Sequence, residues 1–203
     1  MLVTAIRNSA NLALPLILAL TASGFAQTPA MPAPSQSASA PTASGAPKIE
    51  DRNAFIVVGV TVRTNNAKEA SGQGSIPQLW QDAMQNNTLD AVPNKADDSL
   101  IVVYSDYASD NTGDYNYTLG YRVTSADKIP AGMVSKTVHA GKYAVFTSEQ
   151  GPPQQVIPAL WQRINTMTPQ QLGGARAYDT DFESYGNIVD FGNMQVTAHI
   201  GLK

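Results

Sequence analysis

A six-residue phrase written twice is the feature that most constrains this chain. Ile76-Pro77-Gln78-Leu79-Trp80-Gln81 returns as Ile157-Pro158-Ala159-Leu160-Trp161-Gln162, identical at all but one position. The segments around both copies follow the same order. Before the first copy, Phe55 to Val62 reads as a strand from its β-branched density. Ser75 can then cap a helix in which Ile76, Leu79, Trp80, Ala83 and Met84 recur at helical spacing, with Pro77 tolerated in the first turn. Two strands follow, Leu100 to Tyr107 and Tyr115 to Val123, around the turn residues Ser109 to Asp114. In the second half, Tyr143 to Thr147 is the strand and Ile157, Leu160, Trp161 and Ile164 mark the helix. Arg176 to Tyr185 and Val196 to Leu202 are the closing strands. The pattern predicts an internal duplication. The fold class it implies is α+β: two β-α-β-β units merge into one antiparallel sheet, with both helices on one face. The open face, or a cleft at the pseudo-twofold axis, is left to hold a ligand.

The duplicated region accounts for residues 48–203; the rest of the chain reads differently. Residues 1–26 carry one positive side chain, Arg7, then an apolar run from Leu12 to Leu20 and the small-residue end Gly24-Phe25-Ala26. That order predicts a signal peptide cleaved after Ala26 and secretion across the inner membrane, into the periplasm. The apolar run is too short for a ~30 Å hydrocarbon core and contains Pro15, so no stable membrane insertion is expected. Residues 27–47, rich in Pro, Ala and Ser and free of charge, cannot bury enough apolar surface to offset their backbone entropy and read as a disordered linker. Without cysteine the chain has no disulfide framework and no thiolate chemistry. Removal of residues 1–26 takes only Arg7 with it, leaving 12 basic against 16 acidic side chains. No basic stripe exists to release phosphate counterions, so no nucleic acid is expected as a partner.

The residues with chemical potential are aromatic and acidic. All eight tyrosines fall within residues 48–203, and Tyr115, Tyr117 and Tyr121 share one face of their strand. Tyrosine suits any half-buried sheet, but a concave site lined by several would bind flat apolar rings and cations. In the late strand, Asp181, Glu183 and Tyr185 share a face. That face is either a solvated edge or the wall of a cleft, where an acid is costly unless it meets a cation or takes up a proton. His139 and His199 are too few for a metal site, and no HExxH spacing occurs. Gly72-Gln73-Gly74 lacks the continuation of a phosphate loop, and no GxSxG elbow is present. Neither a metal nor a cofactor is expected.

The ordered set Phe55-Ile-Val-Val-Gly59, Ile76-Pro-Gln-Leu-Trp80, Tyr104-Ser-Asp-Tyr107, Tyr115-Asn-Tyr-Thr-Leu-Gly120, Ile129-Pro-Ala-Gly132, Gly141-Lys-Tyr-Ala-Val-Phe146 and Asp181-Phe-Glu-Ser-Tyr185 resembles the GyrI-like family. Its members are also described as bacterial transcription activator effector-binding domains. The resemblance spans about residues 50–203 and implies two β-α-β-β units with a ligand cleft at the pseudo-dyad. It implies ligands that are amphipathic and often cationic, with a late-strand glutamate, here Glu183, meeting the charge. Trp80, Tyr107, Tyr117, Tyr143, Trp161 and Tyr185 are the aromatic candidates beside it. Relatives often sit next to a DNA-binding helix-turn-helix, a segment not found in this sequence. Some stand-alone relatives hydrolyse reactive cyclopropane-bearing compounds, which would make Glu183 a general base. The leading expectation is an exported small-molecule-binding protein for amphipathic or cationic aromatic compounds. A hydrolase and a protein-interaction module using the open sheet are the alternatives.

Overall fold

The computed structural model describes residues 46–203 except positions 187 and 189. The expected signal peptide (1–26) and nearly all of the expected linker (27–47) lie outside the described residues. Among these residues no helix is long and apolar enough to cross a membrane.

Eight strands form one antiparallel sheet: β1 (Lys48–Arg52), β2 (Phe55–Thr64), β3 (Lys95–Ser105), β4 (Tyr115–Val123), β5 (Val134–Val138), β6 (Gly141–Thr147), β7 (Thr180–Ser184) and β8 (Thr197–Gly201). The helices are α1 (Asn66–Ala70), α2 (Ile76–Gln85), α3 (Pro153–Asn165) and α4 (Pro169–Leu172). The sheet order β1-β6-β8-β7-β3-β4-β2-β5 is palindromic in kind. One half contributes β2-α2-β3-β4 and the other β6-α3-β7-β8, so the duplicated β-α-β-β plan is present.

The pseudo-twofold can be located from the register. Trp80 to Trp161 and Val102 to Glu183 are the same step of 81 residues, and Val102 pairs directly with Glu183 in the β3–β7 ladder. A residue that pairs with its own counterpart lies on the axis. Glu183 is therefore at the centre of the repeat, opposite a valine.

Two strands escaped the sequence reading. β1 and β5 are short and largely polar, and they form the sheet's edges, where charged side chains discourage pairing with other chains. They extend inner strands: β1 runs into β2 across Asn53-Ala54, and β5 into β6 across His139-Ala140. Their pairing continues in one register, from Lys48↔Val145 to Arg52↔Gly141 and on from Phe55↔Val138 to Gly59↔Val134. The sheet thus curls back on itself. The face away from the helices is not open, because Val57, Ile101, Val103, Val138, Tyr143 and Phe182 fill it. This removes the flat sheet surface on which a protein-interaction module depended.

Both main helices pack on the other face, against Val58, Val102, Tyr104, Tyr117 and Leu119 near the axis and against Ala144, Phe146, Ala198 and Ile200 further out. Burial on both faces explains the unbroken apolar run Leu100-Ile-Val-Val-Tyr104. Leu160 and Ile164 anchor α3 and are buried to 4% and 1% exposure, each contributing about 2 kcal/mol. Ser75 does not cap α2 through its side chain. The Glu69 carboxylate does so instead, accepting from the amides of Ser75 (2.9 Å) and Ile76 (3.4 Å). Gly74 leaves room for it, since a Cβ there would lie 1.9 Å from Glu69 Oε2.

Candidate functional site

Between α2 and α3, over the middle of the sheet, lies a cleft of about 860 Å³. Its floor is made of Tyr104, Tyr115, Tyr117 and Tyr185; Ile76, Trp80 and Met84 of α2 form one wall, and Ile157 and Trp161 of α3 the other. The repeat arranges the rings crosswise. Trp80 of the first half packs on Tyr185 of the second (5.3 Å, 58°), and Trp161 of the second packs on Tyr104 of the first (4.7 Å, 55°). Tyr104 and Tyr185 are again one 81-residue step apart, so these are the same contact made twice about the axis.

Glu183 sits under this floor with no solvent exposure. It is held by three neutral donors. Trp161 Nε1 donates to Oε1, Tyr104 Oη donates to Oε1 at 3.1 Å, and Tyr185 Oη donates to Oε2 at 2.6 Å. Burial pushes the carboxyl above its usual range, and these hydrogen bonds only partly offset that. Burial and the neighbouring carboxylate push the Tyr104 and Tyr185 phenols well above theirs, so both remain donors. Tyr117 extends the set to α2 by accepting from Trp80 Nε1 at 2.8 Å.

A second polar group closes one end. Asp181, also fully buried, accepts from Arg176 Nη2 at 2.6 Å, from Tyr107 Oη at 2.6 Å and from the Gly201 amide at 2.8 Å. Its ion pair with Arg176 is nearly dry, at 7% and 0% side-chain exposure. The Arg176 guanidinium also lies 4.7 Å from the Tyr178 ring centre and 5.5 Å from that of Trp161. The two buried acids thus differ: Asp181 has a resident cation, whereas Glu183 is held only by neutral donors.

Of the residues singled out from sequence, Trp80, Tyr107, Tyr117, Trp161 and Tyr185 line the cleft, and Glu183 bonds to three of its lining side chains. Tyr143 is elsewhere. Its neighbours on β6, Ala144 and Phe146, face the helices. Tyr143 therefore points into the curl, where its hydroxyl donates to the His139 carbonyl at 2.7 Å. The solvated-edge alternative for Asp181 and Glu183 also falls away, because β7 is a central strand between β8 and β3. Arg176 was missed, as were Tyr104 and Tyr115 as lining residues. The repeat could have found Tyr104, because the step that joins the tryptophans also maps it onto Tyr185.

An α+β domain of two β-α-β-β halves with an aromatic cleft on its pseudo-dyad is the architecture of a small-molecule effector-binding domain. The chain belongs to the Cass2 family, described as integron-associated effector binding protein, whose sequence profile matches residues 48–201. The GyrI-like resemblance holds. YobU of Bacillus subtilis is 31% identical over 148 residues, 71% of this chain and 90% of YobU. The transcriptional regulator BrlR of Pseudomonas aeruginosa is 30% identical over 138 residues, which are 68% of this chain and 47% of BrlR. Among solved structures, an integron cassette protein from the mobile metagenome of Vibrio cholerae superposes with a TM-score of 0.61 at 29% identity, over 77% of this chain and 95% of that one. SAV2435, solved bound to tetraphenylphosphonium, shares the fold at a TM-score of 0.63 and 15% identity, over 77% of this chain and 93% of that one.

Proposed function

We propose that this domain binds amphipathic aromatic cations in the cleft, with Glu183 as their charge partner. The observation that carries the reading is a fully buried carboxyl whose partners are all neutral donors, set beneath tyrosine and tryptophan rings. Ionising it in the empty protein is costly. A bound cation repays that cost and gains contact with the ring faces, worth about 2 kcal/mol when desolvated.

The general-base role is served less well. A carboxylate has about four acceptor positions, and an indole N–H and two phenols already occupy three of them here. A protein of this fold holds tetraphenylphosphonium, which makes that cation a suitable probe, with triphenylphosphine oxide as the neutral control. The parent should bind the cation, and Glu183→Gln should lose at least about tenfold in cation affinity, or ~1.4 kcal/mol, with the neutral ligand little changed. Equal losses for both ligands would overturn the anchor.

We also propose that the chain acts outside the inner membrane, on the strength of the charge, apolar run and small-residue end in residues 1–26. Mature protein beginning near Gln27 supports this, and cytoplasmic protein keeping residues 1–26 overturns it.

A further inference from the structure

The cleft repeats itself about the axis, and its charge does not. Ile76 and Trp80 of α2 recur as Ile157 and Trp161 of α3 after the 81-residue step, and all four line the cleft. On the floor, Tyr104 recurs as Tyr185. In the strands that follow, the step is 79, because Leu119 and Ala198 pair with the axial residues Val102 and Glu183. That step carries Tyr115 onto Met194, and both of these also line the cleft. Two equivalent walls thus face each other, each built on a Trp–Tyr pair drawn from both halves. Beneath the floor, on the axis, lies the single acid Glu183, where the pseudo-symmetric counterpart is Val102. The other charged side chains lining the cleft, Glu69 and Arg176, are engaged in capping α2 and in the ion pair with Asp181.

We propose that the preferred ligand is two-armed: a single positive charge placed at Glu183 on the axis, flanked by two flat aromatic arms, one against each Trp–Tyr pair. This rests on the reading of Glu183 as the anchor and adds the shape of the ligand class. A cation with one aromatic group can use either wall but only one at a time. A cation with two uses both. The volume of about 860 Å³ lies in the upper range of drug-sized sites, which suits a molecule wider than a single ring system.

The test compares 1-naphthylmethyltrimethylammonium with bis(1-naphthylmethyl)dimethylammonium, followed by ligand fluorescence, in the parent, Trp80→Ala, Trp161→Ala and Glu183→Gln. The ratio of the two affinities is the readout, because the charge contribution common to both ligands cancels in it. That matters for Trp161, which also donates to Glu183. In the parent the two-armed cation should bind at least about tenfold tighter, ~1.4 kcal/mol. Each tryptophan variant should cut this ratio severalfold and to a similar extent. A one-armed ligand keeps the intact wall, so Trp80→Ala should weaken it only about twofold, by the loss of one of two orientations. Trp80→Leu and Trp161→Leu keep apolar bulk without the ring, and they serve where alanine impairs folding. A parent ratio near one, or a ratio sensitive to only one tryptophan, overturns the two-armed ligand while Glu183 dependence stands. If Glu183→Gln binds both cations as tightly as the parent, the anchor itself fails and the proposal fails with it.

Discussion

Asp181→Asn isolates the buried ion pair from the rest of the cleft. The substitution keeps the side-chain volume and leaves Oδ1 to accept from the Gly201 amide, now 2.8 Å away. What it removes is the negative charge facing Arg176, whose side chain is 7% exposed. Burial works against the Arg176 charge and Asp181 outweighs it, so the guanidinium's pKa lies above its usual value. Removing one partner of such a pair costs about 3–5 kcal/mol, because the other charge is left without compensation. With a urea slope of about 2 kcal/mol per molar, the unfolding midpoint should fall by about 2 M, read from tryptophan fluorescence. The double variant Arg176→Met/Asp181→Asn removes both charges and should regain most of that loss. A single-variant cost below about 1 kcal/mol, or a double variant no more stable than the single, would refute the reasoning.

Further expectations concern the sheet and its acid behaviour. Gly59 and Gly120 pair with each other, and a Cβ on either would lie 2.0 or 2.1 Å from a backbone oxygen of the neighbouring strand. Gly59→Ala should therefore cost about 3 kcal/mol in chemical unfolding, and an unchanged midpoint would contradict the close approach. His199, stacked on Phe182 at 4.1 Å between centroids, has its pKa lowered to about 4, first by burial and then by Arg52, with Glu50 acting the other way. Between pH 4 and 6.5 the unfolded chain takes up this proton and the folded chain does not, so this contribution to stability is lost as pH falls, by about 3 kcal/mol in all. His199→Phe should remove that part of the pH dependence. Parallel stability profiles for parent and variant would count against it.

The sequence revealed the helices more readily than the placement of individual strand residues. The two Ile-Pro-x-Leu-Trp-Gln phrases carry helical spacing, with Pro77 in the first turn of α2 and Pro158 inside α3, and both tryptophans reached the cleft. Alternation along a strand says which residues share a face but not which face meets the helices, and Tyr143 was misassigned for that reason. Arg176 was hidden by a different cause. In an unbroken strand from Arg176 to Tyr185 it would point away from Asp181, five positions on. Tyr178 instead adopts a left-handed conformation (φ 54°), β7 begins only at Thr180, and the parity is reversed. A non-glycine residue in that conformation leaves no mark in the sequence. The hydrogen-bond donors to Glu183 were beyond a one-dimensional reading as well, since Trp161 and Tyr104 approach it from positions 22 and 79 residues away.

The most direct test of the anchor is the affinity for tetraphenylphosphonium measured by calorimetry from pH 5 to 9, for the parent and for Glu183→Gln at one ionic strength. Burial raises the Glu183 pKa in the empty protein, and a cation favours the ionised form, so binding releases a proton wherever the empty site is protonated. Affinity in the parent should climb with pH, by up to about tenfold per unit below that pKa, and then level off. The glutamine variant should bind weakly at every pH, and its profile should be flat. Parent and variant profiles that coincide across the range would contradict the claim that Glu183 holds the ligand's charge.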